Sequence, residues 1–181
     1  MAVWFTADSH FGHGGIIAMC ERPFRNVLDM DEALIANWNA RVRPGDMVWH
    51  LGDFAMGHDP ETCREIFGRL NGTKFLIKGN HDDERVTSLA WARPPEKLVE
   101  IAQDATRLVL CHYPLRAWRG SMGKTVHLHG HTHRLIPDTT LSCDVGVDSW
   151  GYAPVRVAEV KARLAKITLD VEERRELKRK G

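Results

Sequence analysis

The first half of the chain alternates short apolar runs with amphipathic ones. Residues 2–7, "AVWFTA", pack β-branched and aromatic side chains into a run that stops at Asp8, which predicts a buried strand. In "DMDEALIANWNARV" (29–42), Met30, Leu34, Ile35 and Trp38 recur at helical spacing. The acids at its start predict a helix capped by Asp29 or Asp31, and "RPGD" closes it. Residues 47–51 read as a second strand running into "GD", and 60–70 as a helix with Pro60 in its first turn, ended by "NG". A third strand over 74–78 stops at "GNHD". This strand–helix–strand order implies parallel pairing through right-handed crossovers.

Beyond about residue 95 the pattern turns β-rich. Residues 98–102, 106–112, 125–129 and 141–147 read as strands, and 154–166 as a last helix. The run "VEERRELKRKG" (171–181) reads as a solvated helix end. With no internal repeat and no linker, residues 1–181 are expected to form a single α/β domain.

Composition narrows the classes. The content, 43% hydrophobic and 27% charged, is that of a soluble globular chain. No run approaches the 18 or so apolar residues of a membrane span, and the start reads as a strand and not as a leader, so a cytoplasmic location is expected. A net charge of +1 argues against a broad electrostatic grip on nucleic acid, which is left only as a substrate. The four cysteines form no CxxC pair, which speaks against a structural zinc or a disulfide framework and fits a reducing compartment. Composition sets no oligomeric state. It does leave ten histidines to be explained.

Those histidines gather where apolar runs end. The first strand ends in "DSH" (Asp8, His10), the second in "GD" (Asp53), and the third in "GNHD" (Asn80, His81, Asp82). A later strand ends in "CHYP" (His112), and "VHLHGHTHR" carries His127, His129, His131 and His133. Functional groups of open α/β sheets collect beyond the carboxyl ends of strands, so loops distant in sequence can converge there. A single Asp or His after a strand is ordinarily a turn or surface residue. Five such ends in one chain supply the oxygen and nitrogen donors of two metal sites.

The ordered set Asp-x-His, Gly-Asp, Gly-Asn-His-Asp, His and Gly-His-x-His resembles the calcineurin-like metallophosphoesterases. The strings "WFTADSHFGH", "VWHLGDF", "IKGNHD", "CHYPL" and "VGVDSWGYAPV" are similar to a group of small bacterial and phage members. The resemblance implies a β-sandwich of two mixed sheets flanked by helices, with two divalent ions at one edge. Asp8, His10, Asp53 and His133 would hold the first ion, and Asp53, Asn80, His112 and His131 the second. His81 would stand beside the phosphate as the catalytic proton donor. Mixed imidazole and oxygen donors suit manganese first, with Fe, Zn, Ni or Co as alternatives. Two divalent ions outweigh the two carboxylates Asp8 and Asp53, leaving positive charge for an anionic ester and an activated water between the metals.

The family's usual carboxylate for orienting His81 is missing, because "GDFAMG" puts Phe54, Ala55 and Met56 there. Asp82 is a substitute orienter or a cap for the next helix. His13, Arg116 and Arg119 are expected at the substrate, with Trp118 stacking on a base or covering the core. Cys111 should face away from His112 as a small buried hydrophobe. Of the four alternating histidines, His131 and His133 are the expected ligands. His129 would act as a second hydrogen-bonding layer, and His127 would be structural.

The expected activity is therefore dinuclear-metal hydrolysis of a phosphate mono- or diester. The segment between His81 and His112 and the 116–124 loop are short, which suits a small or flexible ester. A DNA or RNA nuclease is the alternative enzyme. A non-catalytic scaffold should have lost donors, and this chain keeps them all.

Overall fold

The structure is a computed structural model and describes residues 1–180; Gly181, the end of the expected tail, lies outside the described residues. Three strands, β1 (Val3–Thr6), β2 (Met47–His50) and β3 (Thr73–Leu76), form a parallel sheet in that order. The second sheet runs β4 (Leu98–Gln103), β5 (Thr106–Cys111), β6 (Val126–His129), β7 (Ser142–Asp144). There β4 and β5 are antiparallel, whereas β5, β6 and β7 are parallel. The named strands of the first sheet are thus all parallel, and only the second is mixed. The sheets meet at one corner through bridges pairing Ala7 with Gly146 and Phe5 with Val155.

Period-2 alternation separates two cores. Trp4, Val48 and Leu76 point toward helices α2 (Val27–Arg41) and α3 (Pro60–Arg69), where they meet Leu34, Trp38, Ile66 and Phe67. Phe5, Trp49 and Leu51 point the other way, toward Leu108, Leu110, Leu128 and Cys143 of the second sheet. Burying each such side chain contributes about 1.5–3 kcal/mol, so register is fixed wherever alternation is strict. Helix α5 (Val157–Leu164) closes this second core with Val157, Val160 and Leu164.

The remaining helices are α1 (Gly14–Met19), α4 (Glu84–Thr87) and α6 (Glu172–Lys180). Among the described residues no helix is long and apolar enough to cross a membrane. Several boundaries differ from expectation for local reasons. Helix α2 is capped by Asn26, whose side chain accepts the Asp29 N–H, and not by Asp29 or Asp31; Asp31 is buried and engaged elsewhere. Strand β7 stops at Asp144 because the chain turns into a 3₁₀ segment at Val147–Ser149. Helix α5 starts three residues late, since Val155 bonds to β1 and the Glu159 carboxylate caps the Arg156 N–H.

Candidate metal centre

Every strand that supplies a donor does so from its carboxyl end, and the backbone there is unusual. Asp8, His10, Asp53, His131 and His133 all have positive φ, between 45° and 70°. Left-handed backbone at a non-glycine residue costs on the order of 1–3 kcal/mol, and such strain gathers at functional sites. Glycines let the donors crowd together. A Cβ on Gly79 would lie 2.2 Å from Asp53 Oδ1, and one on Gly130 would lie 2.6 Å from Asp8 Oδ2.

Two donor groups result, each with its atoms within 4.8 Å of one another: Asp8, His10 and His133, and Asp53, His112 and His131. Asp53 stands between them, with Oδ2 3.6 Å from His10 Nε2 and 3.4 Å from His112 Nε2. Asn80 joins the second group through Oδ1, 3.1 Å from His112 Nε2. Asp8, His10, Asp53 and His112 form a buried floor, while Asn80, His81 and His131 are exposed at the mouth. The carboxylates also tie opposite loops together. Asp8 accepts the His131 N–H and Asp53 Oδ1 accepts the His81 N–H.

Three of the four donor rings are aimed by the contact their other nitrogen makes. His112 Nδ1 meets the Leu51 carbonyl at 2.8 Å, which turns Nε2 toward Asp53. His133 Nδ1 meets Asp148 Oδ2 at 2.8 Å. His10 Nδ1 lies 3.4 Å from His13 Nδ1, so its buried Nε2 faces the centre with no hydrogen-bond partner. Burial lowers the His10 pKa to about 3, leaving a neutral imidazole suited to ligation. It also lifts Asp8 to about 7 against the pull of His112 and His133. Burial opposes ionisation of Asp53 too, but His112, the His81 N–H and His10 together hold it below the usual carboxylate range. A neutral imidazole with an unpartnered inward nitrogen, beside two buried carboxylates, fits a divalent cation.

A family model for calcineurin-like phosphoesterases matches residues 1–150. The chain belongs to the calcineurin-like phosphoesterase family. An uncharacterized protein of Methanocaldococcus jannaschii is 33% identical over 160 residues, covering 84% of this chain and 85% of its own. The gene 66 protein of Mycobacterium phage D29 is 29% identical over 184 aligned residues, covering 82% of this chain and 88% of that protein. The solved structure of AQ665, a protein of unknown function from Aquifex aeolicus, shares the fold at a TM-score of 0.69 and 21% identity, across 89% of this chain and 98% of that one. Membership in the phosphoesterase family implies divalent-metal binding, and the donor groups for it are assembled here.

Within this family member the structure brings Asp8, His10, Asp53, Asn80, His112, His131 and His133 to one place, with His81 beside them, its ring 5.5 Å from that of His10. Other expected positions fall elsewhere. Arg116 pairs with Glu172 and Arg119 with Glu100, both with side chains more than four-fifths exposed and neither bonded to the donor groups. His13 packs on His10, at 5.3 Å between rings. Trp118 lies tilted over His127 and donates to the Thr125 carbonyl. Cys111 is buried, as a small hydrophobe should be. His127 is fixed by the Val109 carbonyl and the Leu115 N–H, which is a structural role. Among the described residues His129 bonds the Gly130 carbonyl and no ligand side chain, so it does not aim a ligand.

Asp82 neither orients His81 nor caps a helix. It accepts the N–H groups of Asp53, Phe54 and Gly79, bracing two donor loops, and Asp83 caps α4 instead. Sequence reading missed Arg22 and Asp148. The buried Arg22 guanidinium grips both oxygens of Asp148 and donates to the Asp8 and Ser9 carbonyls. The available signal was the Asp in "VGVDSW", a string noted only for its likeness to the family. Cys20 also falls within 4.8 Å of His133 and Asp148 donors, but Asp148 is already held by Arg22 and His133.

Proposed function

We propose that this chain hydrolyses a phosphate mono- or diester using two divalent ions, manganese first among Mn, Fe, Zn, Ni and Co. Asp8, His10, Asp53 and His133 would hold one ion, and Asp53, Asn80, His112 and His131 the other. The observation that carries this reading is His10 Nε2, buried and unpartnered, facing the shared Asp53 carboxylate at 3.6 Å. When bound, such ions supply Lewis acidity to a phosphoryl group and acidify water.

The chain's own residues do the rest. Asp53 serves both donor groups, which its position between two imidazoles favours. Arg22 and Asp148 hold His133 and the left-handed Asp8 backbone in place. His81 stands at the exposed mouth, its ring paired with no carboxylate among the described residues, where it would give a proton to the leaving oxygen. Exposure of Asn80, His81 and His131 together favours a small or flexible ester. Four free cysteines suit a reducing cytoplasm.

The test compares bis-p-nitrophenyl phosphate with p-nitrophenyl phosphate in the presence of Mn, Ni or Zn, with Asp53→Ala as control. Turnover of at least one ester by wild type, lost in Asp53→Ala, is expected. Absence of turnover with every metal, or full activity in Asp53→Ala, sinks the proposal. His81→Ala should keep its bound metal and turn over at least a hundredfold more slowly.

A further inference from the structure

A cavity lies at the opposite end of the second sheet from the donor groups. It measures about 660 Å³, within the range of small-molecule sites. The amino-terminal ends of β5 and β6 and the turn before β7 open into it, whereas the carboxyl ends of the same strands lead to His112, His131 and Asp148. Six residues of extended chain separate Thr106 from His112, so the two places are roughly 20 Å apart.

Its lining is divided. Val126 and Leu164 are buried, Leu141 is half-buried, and together they make an apolar floor. Arg107, Lys124 and Lys161 stand around it, from β5, the loop before β6 and helix α5. No acidic residue lines the cavity, and none of the three cations makes an ion pair or side-chain hydrogen bond among the described residues. Their neighbours differ: Arg119 reaches Glu100, and Arg163, two residues beyond Lys161, is taken by Asp138. Unpaired cations converging over an apolar floor raise the local concentration of anions and match a ligand with one charged end. An arginine with two lysines suits a carboxylate or a phosphate, and the floor suits a flat apolar body.

We propose that this cavity is a second ligand site, separate from the metal centre, for a small organic anion with an apolar body and a carboxylate or phosphate end. A nucleic-acid backbone would use the cations but leave Val126, Leu141 and Leu164 uncovered, so the floor favours the small anion. Arg107, Lys124 and Lys161 bind the charged end, and the floor takes the body.

The test titrates the 181-residue chain with 1-naphthoate and with 1-naphthylphosphonate, by calorimetry and by NMR of the Val126 and Leu164 methyl groups. 1-Naphthalenemethanol serves as the neutral control. One saturable site is expected, with shifts at both methyl groups and binding at least tenfold tighter than that of the alcohol. The exposed double substitution Arg107→Ala/Lys161→Ala should weaken it at least tenfold, the effect of losing one charge-assisted hydrogen bond or more. Asp53→Asn should leave it unchanged. Carboxylate and phosphonate arms distinguish the two possible headgroups, and saturation by either supports the site. No saturable binding of either anion, equal binding by the double variant, or loss of binding in Asp53→Asn would overturn it; the last outcome would put the anion at the metal centre.

Discussion

At the scale of single residues, the donor set is held under tension. Five of the seven nitrogen- and oxygen-donor positions sit in left-handed backbone, and the carboxylates of Asp8 and Asp53 are buried. Nothing in local sequence preference favours Asp or His in those conformations enough to hold them there. Bonds from distant residues do so: Arg22 to the Asp8 carbonyl, Asp8 to the His131 N–H, and Asp148 to His133. Asp148→Asn keeps the shape but removes the charge that fixes His133 through Nδ1. Its affinity for Mn, read by EPR titration, should fall between 10- and 100-fold, the usual cost of losing an outer partner of a ligating histidine. A wild-type affinity in that variant would mean that His133 needs no such partner, and that Arg22 and Asp148 serve packing alone.

At the scale of elements, strands were legible and their supports were not. The apolar runs ending in Asp8, Asp53 and "GNHD" place β1, β2 and β3 within a residue or two, because a buried strand declares itself by composition and by where it stops. Their parallel pairing follows from the strand–helix–strand alternation. The contacts that align the loops leave no periodic trace. Asp82 bonds residues 28 and 29 positions away, and Arg22 meets Asp148 across 126. Asp82→Ala would orphan three buried N–H groups in two loops, which should cost about 3 kcal/mol or more in urea unfolding. A cost under about 1 kcal/mol would show that water replaces the carboxylate.

Strand β3 offers a test with a sign. Lys74 is buried there, with Nζ on the Leu70 and Gly72 carbonyls, and burial lowers its pKa from 10.5 to about 8. Between those values the unfolded chain holds the proton and the folded chain does not. Stability should therefore rise as pH climbs from 8 to 10.5, while below pH 8 the full cost of the buried charge remains. Lys74→Met should lose this rise, read as a smaller difference between urea stabilities at pH 7.5 and 10 than in wild type. An equal rise in both proteins would assign the effect to other groups.

At the scale of the whole molecule, the two ends of the second sheet carry different chemistry, and the first sheet joins it at the metal end through the Ala7–Gly146 bridge. The centre is thus built where both sheets meet, and its donors come from strand ends spread from Asp8 to His133. Metal binding should then couple to global stability and not to one loop. An ion that binds only the folded chain adds about 2.7 kcal/mol at a hundred times its Kd. For a chain of this size each kcal/mol moves Tm by about 2–4 °C, so Mn added to EDTA-treated protein should raise Tm by about 5–10 °C. Asp53→Asn separates this from nonspecific effects, because it keeps the fold but removes the charge shared by both donor groups. Its response to Mn should be less than half that of wild type. Without metal, Asp53→Asn should melt below the EDTA-treated wild type, because His112, His10 and the His81 N–H stabilise the ionised carboxylate in the folded chain. If Asp53→Asn instead responds to Mn as fully as wild type, then Asp53 serves the fold alone and the stabilising ion binds elsewhere.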